Sequence, residues 1–269
     1  MFCVTAKDDF PMNTIAPFQV SGGDRPARWL ISCDHATNRV PPCVGAGSLG
    51  LSAADMARHI AFDIGAAGLT RALAEALDAP AVLSDFSRLV IDPNRGEDDP
   101  TLVMKLYDGT VIPANRYADA AEVERRLAAF YRPYHAAFGA LAARRADTVI
   151  CAVHSFTPQF SGRPRRPWQF GVLMERDRRL GEALLAEMRS SAALAEWISA
   201  EHGEPLAVGE NQPYGLLPRD ALDQHGQDHG RPHLLLEIRS DLIETPGAQQ
   251  LWATRLAPLL TRALARAQV

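Results

Sequence analysis

Short apolar runs alternate along this chain with long Ala/Leu-rich stretches, and no other feature narrows its fold as much. The runs are RWLISC (28–33), APAVLSD (79–85), RLVIDPN (88–94), DTVICAV (147–153), WQFGVLM (168–174), PLAVGEN (205–211) and HLLLEIR (233–239). Most are bounded by polar or turn-forming residues, as buried strands are, and RLVIDPN reads as extended up to Pro93. The intervening stretches have helical spacing: 51–77, starting at Ser52 and breaking near Gly65; 120–145, kinked at Pro133; 177–198, as one helix or two; and 245–267. Strands alternating with helices predict a three-layer αβα fold with a mixed, largely parallel central sheet. The continuous apolar entry of HLLLEIR suits a central strand. No repeat, linker or low-complexity block divides the 269 residues, so a single domain is expected, with 1–27 as an N-terminal arm.

Composition excludes several classes of function. The 28 Lys+Arg against 32 Asp+Glu leave a net charge of −4, which argues against a general binder of nucleic-acid backbone. No run approaches the roughly 18 apolar residues of a membrane span, and the first residues lack the pattern of a signal peptide. The four cysteines form no CxxC; Cys33 and Cys151 fall in or beside apolar runs and read as reduced, buried thiols of a cytoplasmic protein.

Ligands of open α/β sheets bind beyond the carboxyl ends of strands. Four segments put polar groups there: Asp34, His35 and Asn38; Arg88, Asp92, Asn94 and Arg95; His154 and Ser155; and Glu237 with Arg239, two apart and so on one strand face. Singly, each has a structural reading: a capped histidine, or a buried Glu237 paired with arginines. Together they are more specific. Two histidines and a carboxylate are what a catalytic zinc site needs, with one position left for water. A further glutamate can take that water's proton, and arginines suit substrate carboxylates. Metal-assisted hydrolysis of an amide in a small acidic molecule is the chemistry these groups suggest.

At these residues the chain resembles the N-formylglutamate amidohydrolase family, whose fold is similar to that of zinc carboxypeptidases and aspartoacylases. The matching pieces are DHATNRVP (34–41), HIAFDIGA (59–66), SRLVIDPNR (87–95), VHSFTP (153–158), ENQPYG (210–215) and LLLEIRSDL (234–242), in the family's order over roughly residues 30–245. Zinc carboxypeptidases share a histidine after an early strand, an Asn-Arg pair, and a His-Ser followed much later by Glu-x-Arg. The resemblance implies a phosphorylase/hydrolase-like fold and a zinc-dependent amidohydrolase of N-acyl amino acids. It implies His35 and His154 as zinc ligands, Glu237 as general base, and Arg88, Asn94 and Arg95 as substrate-carboxylate contacts. Arg239 and Tyr214 join them as candidate pocket residues.

One position departs from the carboxypeptidase pattern, which has a glutamate three residues after the first histidine. Asn38 stands there, a poor zinc ligand, and Asp63 is the expected replacement, with His59 beside it as a supporting or surface group. Asp34 is adjacent to His35, and adjacent side chains on a strand diverge, so it is poorly placed to orient that ring. His225 and His229 have metal-binding spacing only on a helix, and the flanking glycines favour a mobile loop. RPRRPW (163–168) reads as a solvated basic loop. The alternatives are a deacylase or small carboxypeptidase of other specificity, and a non-catalytic binding relative that has lost its metal.

Overall fold

A computed structural model describes residues 16–215 and 219–269. Among the described residues nine strands are formed: β1 (Phe18–Ser21), β2 (Trp29–Cys33), β3 (Ala81–Ser84), β4 (Leu106–Tyr107), β5 (Thr110–Val111), β6 (Val149–Phe156), β7 (Phe170–Leu173), β8 (Val208–Glu210) and β9 (His233–Arg239). The α-helices are α1 (Ala53–Met56), α2 (Ala66–Ala76), α3 (Ala120–Arg126), α4 (Arg132–Ala142), α5 (Arg179–Ser190), α6 (Ala192–His202), α7 (Ala221–His225) and α8 (Pro246–Ala267). Seven strands make one sheet in the order β1-β3-β2-β6-β9-β7-β8, and β4 and β5 make a separate hairpin. The central β3, β2, β6 and β9 are parallel, while β1 and the β7–β8 pair run against them. This is the expected mixed, largely parallel sheet with helices on both faces.

Alternation along the central strands builds two cores. Val149, Cys151 and Val153 of β6 face α2, α5 and α8, whereas Ile150 and Ala152 face α4 and the buried loops around Phe86–Met104. His154 continues the second face, and so does Glu237 of β9, after Leu235. The polar residues thus occupy the last positions of rows that begin apolar.

Three expectations are corrected in detail, and the break expected near Gly65 is found there. Segment 88–94 is not extended: Val90 N–H closes a turn on Ser87 O at 2.8 Å. The carbonyls of Leu89 and Val90 accept from the side chains of Asn115 (2.7 Å) and Arg126 (2.8 Å) instead of from a neighbouring strand. Helix 51–77 is two helices separated by turns. Gly65 sits at φ 79° where an added Cβ would lie 2.1 Å from Ile243 O, so only glycine fits. In 120–145 the disturbance precedes Pro133 as a π-helical turn over Leu127–Tyr131, which accommodates a ring unable to donate within the helix. Residues 221–230 form α7 and a 3₁₀ turn, and His225 is buried rather than carried on a mobile loop.

Within the expected arm, residues 18–21 pair with β3 as an edge strand, and residues 1–15, with Cys3, lie outside the described residues. Cys33 and Cys151 are free and buried. Among the described residues no helix is long and apolar enough to cross a membrane.

Candidate active site

Three adjacent parallel strands, β2, β6 and β9, end side by side. His35 lies two residues past the end of β2, His154 lies near the end of β6, and Glu237 is its register partner on β9. Asp63 arrives from the turns between α1 and α2. Its N–H donates to His35 O (2.9 Å), Ser155 N–H donates to its Oδ2 (3.2 Å), and Ser155 Oγ–H donates to Ile64 O (2.8 Å). These bonds lock a loop residue against the strand ends.

Both imidazoles turn Nδ1 toward Asp63. His154 Nδ1 is 2.9 Å and His35 Nδ1 3.4 Å from its carboxylate, and one ligand atom from each of the three residues lies within 4.8 Å of the others. The far nitrogens are held by two more carboxylates. His35 Nε2 lies 2.7 Å from Asp92 Oδ1, and His154 Nε2 lies 3.1 Å from Asp34 Oδ2. Tyr134 O–H donates to the other oxygen of Asp34 at 2.5 Å. A carboxylate can only accept, so each ring nitrogen that faces one donates here; Nε2 of each ring is committed to Asp92 or Asp34, and Nδ1, facing Asp63, is the nitrogen left to give up its proton to a cation.

Electrostatics follow from this crowding. Burial alone would raise the Asp63 carboxyl, but the His35 charge and the His154 hydrogen bond outweigh it and hold it far below the usual range. Asp92 is likewise held low against its burial by Arg88 and His35, and Asp34 is lowered by His154. His154 is raised well above an ordinary imidazole because Asp34 and Asp63 outweigh its burial.

His35, Asp63 and His154 form one wall of a cavity of about 270 Å³. Glu237, 6% exposed, reaches into it, and its Oε2 has no hydrogen-bond partner among the described residues. Burial lifts this carboxyl to about 7, with Asp63 adding to the effect. Asp220 also lines the cavity with an unpartnered Oδ2, and burial lifts it to about 7. Arg88 pairs with Asp92 at 2.8 Å and lies 3.5 Å from Asp63. Arg95 donates to Asn94 O (2.7 Å), and Asn94 Oδ1 accepts from Ala221 N–H (3.1 Å). Tyr214 O–H accepts from Arg166 (2.9 Å), whose guanidinium stacks 4.1 Å over Phe160.

Of the residues expected from sequence, His35, Asp63, His154, Glu237, Arg88, Asn94, Arg95 and Tyr214 all line this cavity. Arg239 does not, a correction. Its guanidinium is buried against Glu204 and Asp241, each at 2.8 Å, and it holds Glu204 down at about 2. Asn38 donates to Met56 O at the surface, outside the His35–Asp63–His154 group. His59 lies in the cavity wall, 3.3 Å from Asp108.

Sequence reasoning placed Asp34 and Asp92 at strand ends without giving them their ring partners, and it missed Asp220 and Arg166. The alternation that turns Asp34 away from His35 frees it to meet His154 on the neighbouring strand, and this signal was available. Asp92 sits in an apolar run as Glu237 does, and the same need for a partner applies to it.

Fold and site together define a class: an open α/β sheet with two histidines and a carboxylate gathered beyond its central strands. The chain belongs to the N-formylglutamate amidohydrolase family, whose sequence model matches residues 27–244. It is similar to gene product Atu2144 from Agrobacterium tumefaciens, with 32% identity, 94% of this chain and 96% of that chain covered, and a TM-score of 0.83. It shares its fold with N-formylglutamate amidohydrolase from Ralstonia eutropha JMP134, at 21% identity, with 94% and 98% covered and a TM-score of 0.62. No curated protein matches the chain.

Proposed function

We propose that this chain is a zinc-dependent amidohydrolase that cleaves the amide of an N-acyl acidic amino acid, with N-formylglutamate giving glutamate and formate. The observation that carries the reading is the convergence of His35 Nδ1, Asp63 and His154 Nδ1 beside the unpartnered carboxylate of Glu237 in one cavity. The donor set fits a divalent cation. Two imidazoles and a carboxylate suit zinc, and Asp92 and Asp34 hold Nε2 of each ring, which leaves Nδ1 for the ion. Cavity size and the arginines Arg88 and Arg95 suit a small anion. The free, buried Cys33 and Cys151 agree with a cytoplasmic location.

The chemistry a bound zinc supplies is polarisation of the formyl carbonyl and acidification of water. The chain's own groups do the rest. Glu237 Oε2 takes a proton from the attacking water as its oxygen bonds to the formyl carbon. The same proton passes to the amide nitrogen as the C–N bond breaks, and a carboxyl near 7 can both accept and release it at neutral pH. Asn94 and Arg95 bind the carboxylate on the carbon next to the scissile nitrogen, Arg88 adds positive charge, and Tyr214 is held at the wall by Arg166.

Zinc content of protein purified without chelator, with an assay of N-formylglutamate hydrolysis, tests the reading. Absence of metal, together with no hydrolysis of any N-acyl amino acid after zinc is added, ends it. Glu237→Gln should keep the metal and lose about 10²–10⁴-fold in turnover. Full turnover in that variant removes Glu237 from its role.

A further inference from the structure

Asp220 is 2% exposed and caps α7: its Oδ1 accepts from Asp223 N–H at 2.8 Å. Its Oδ2 is buried in the cavity wall with no partner among the described residues. A buried acceptor left without a donor is costly, and inside a binding cavity the missing donor is most simply a ligand's. Three cavity-lining side chains have such an atom: His59, 3.3 Å from Asp108; Glu237, already assigned to water; and Asp220. Asp220 is also next in sequence to Ala221, whose N–H holds Asn94 Oδ1 at 3.1 Å. The acceptor and the Asn94–Arg95 carboxylate clamp are therefore side by side. In an N-acyl amino acid, the carboxylate and the scissile nitrogen are attached to one carbon, so a group beside the clamp faces that nitrogen.

Resting on the function proposed above, we propose that Asp220 recognises the substrate's nitrogen: its Oδ2 accepts the amide N–H before cleavage and the freed amine afterwards. Asp220 thus selects α-amino acid derivatives over plain dicarboxylates. No bond is made or broken at this residue.

Two variants keep the helix cap and change only the free oxygen. Asp220→Asn leaves an Oδ1 for Asp223 N–H and puts an N–H₂ donor where Oδ2 stood. Asp220→Ser keeps a capping oxygen and removes the second one. Calorimetric binding of glutamate and of glutarate, the same dicarboxylate without nitrogen, is measured on the full chain with chelator present, so that no metal contributes. Wild type should prefer glutamate by at least tenfold, and both variants should lose most of that ratio while keeping glutarate binding. A wild-type preference below threefold, or a ratio that falls less than threefold in both variants, overturns the proposal. Failure of the parent reading is separate: it shows as absence of N-formylglutamate hydrolysis by zinc-loaded wild type, whatever the binding ratio.

Discussion

The molecule contains two buried histidine pairs, and they differ in everything but proximity. The rings of His35 and His154 lie 4.9 Å apart, and those of His135 and His225 lie 5.1 Å apart. Around the first pair stand Asp34, Asp63 and Asp92, all within 3.4 Å of a ring nitrogen. Around the second, the hydrogen-bond partners are a carbonyl and each other. His135 Nε2 meets Pro93 O at 3.0 Å, and a carbonyl only accepts, so His135 Nδ1 is the acceptor for His225 Nε2–H at 2.9 Å. His225 stacks on Phe138, 4.2 Å away. Burial pushes His135 down to about 4 and His225 to about 3, while His154 is pushed the other way. Two close histidines therefore do not define a cation site. The carboxylates set the first pair apart as a candidate: they hold Nε2 of each ring, bring negative charge, and leave both Nδ1 atoms facing Asp63.

The strongest way to break this comparison is to remove one ring from each pair. His154→Ala should lower bound zinc below a tenth of wild type, because a two-ligand remnant holds the ion poorly. His225→Gln should leave zinc content unchanged, since Gln can still donate to His135 Nδ1. Zinc analysis after gel filtration, with circular dichroism confirming the fold, reads both. Full zinc in His154→Ala, or loss in His225→Gln, would reverse the assignment of the pairs.

A smaller effect sharpens it. Asp34→Asn and Asp92→Asn keep an oxygen facing His154 and His35 but remove the charge that makes each ring a better donor toward a cation. Zinc affinity in competition with a chromophoric chelator should fall about 10–100-fold in each. Unchanged affinity in both would mean that these carboxylates serve the fold alone.

The comparison also shows what the sequence made legible. HLLLEIR is a strand over the residues read from its pattern, because burial on both faces leaves a continuous apolar signature. RLVIDPN has a similar signature and is no strand. The carbonyls of Leu89 and Val90 are met by side chains of Asn115 and Arg126, more than 20 residues away, and composition cannot announce them. At the site, His35, His154 and Glu237 were readable because ionisable residues ended apolar runs. The resemblance, not the periodicity, pointed to Asp63, which belongs to no strand. Asp220 was hidden by its second task, since Asp-Ala-Leu-Asp reads as a helix start and the cap uses only one of its oxygens. Arg239 misled for the opposite reason: shared parity with Glu237 fixed its strand face, while Glu204 and Asp241 fixed where its guanidinium ends.

The smallest expected effect concerns pH and belongs to the second pair. His225 has a folded value of about 3 against an ordinary 6.5, so the folded state resists the proton that the unfolded chain accepts. Its contribution to stability is complete above pH 6.5 and is lost as pH falls toward the folded value, at about 1.4 kcal/mol per pH unit. Other groups act in the same range with the opposite sign. Glu237 and Asp220, lifted to about 7, and His154, also raised, bind protons more tightly when folded and gain stability on acidification. A single acid titration therefore mixes the two pairs, and a difference between proteins separates them. Urea unfolding of chelated wild type and His225→Gln at pH 6, 5 and 4 leaves the raised groups common to both. The stability of wild type relative to the variant should shrink by about 1.4 kcal/mol with each unit of acidification. A constant difference across that range would mean that His225 titrates alike in the folded and unfolded chain, and the two pairs would then differ in their carboxylates without differing in their protons.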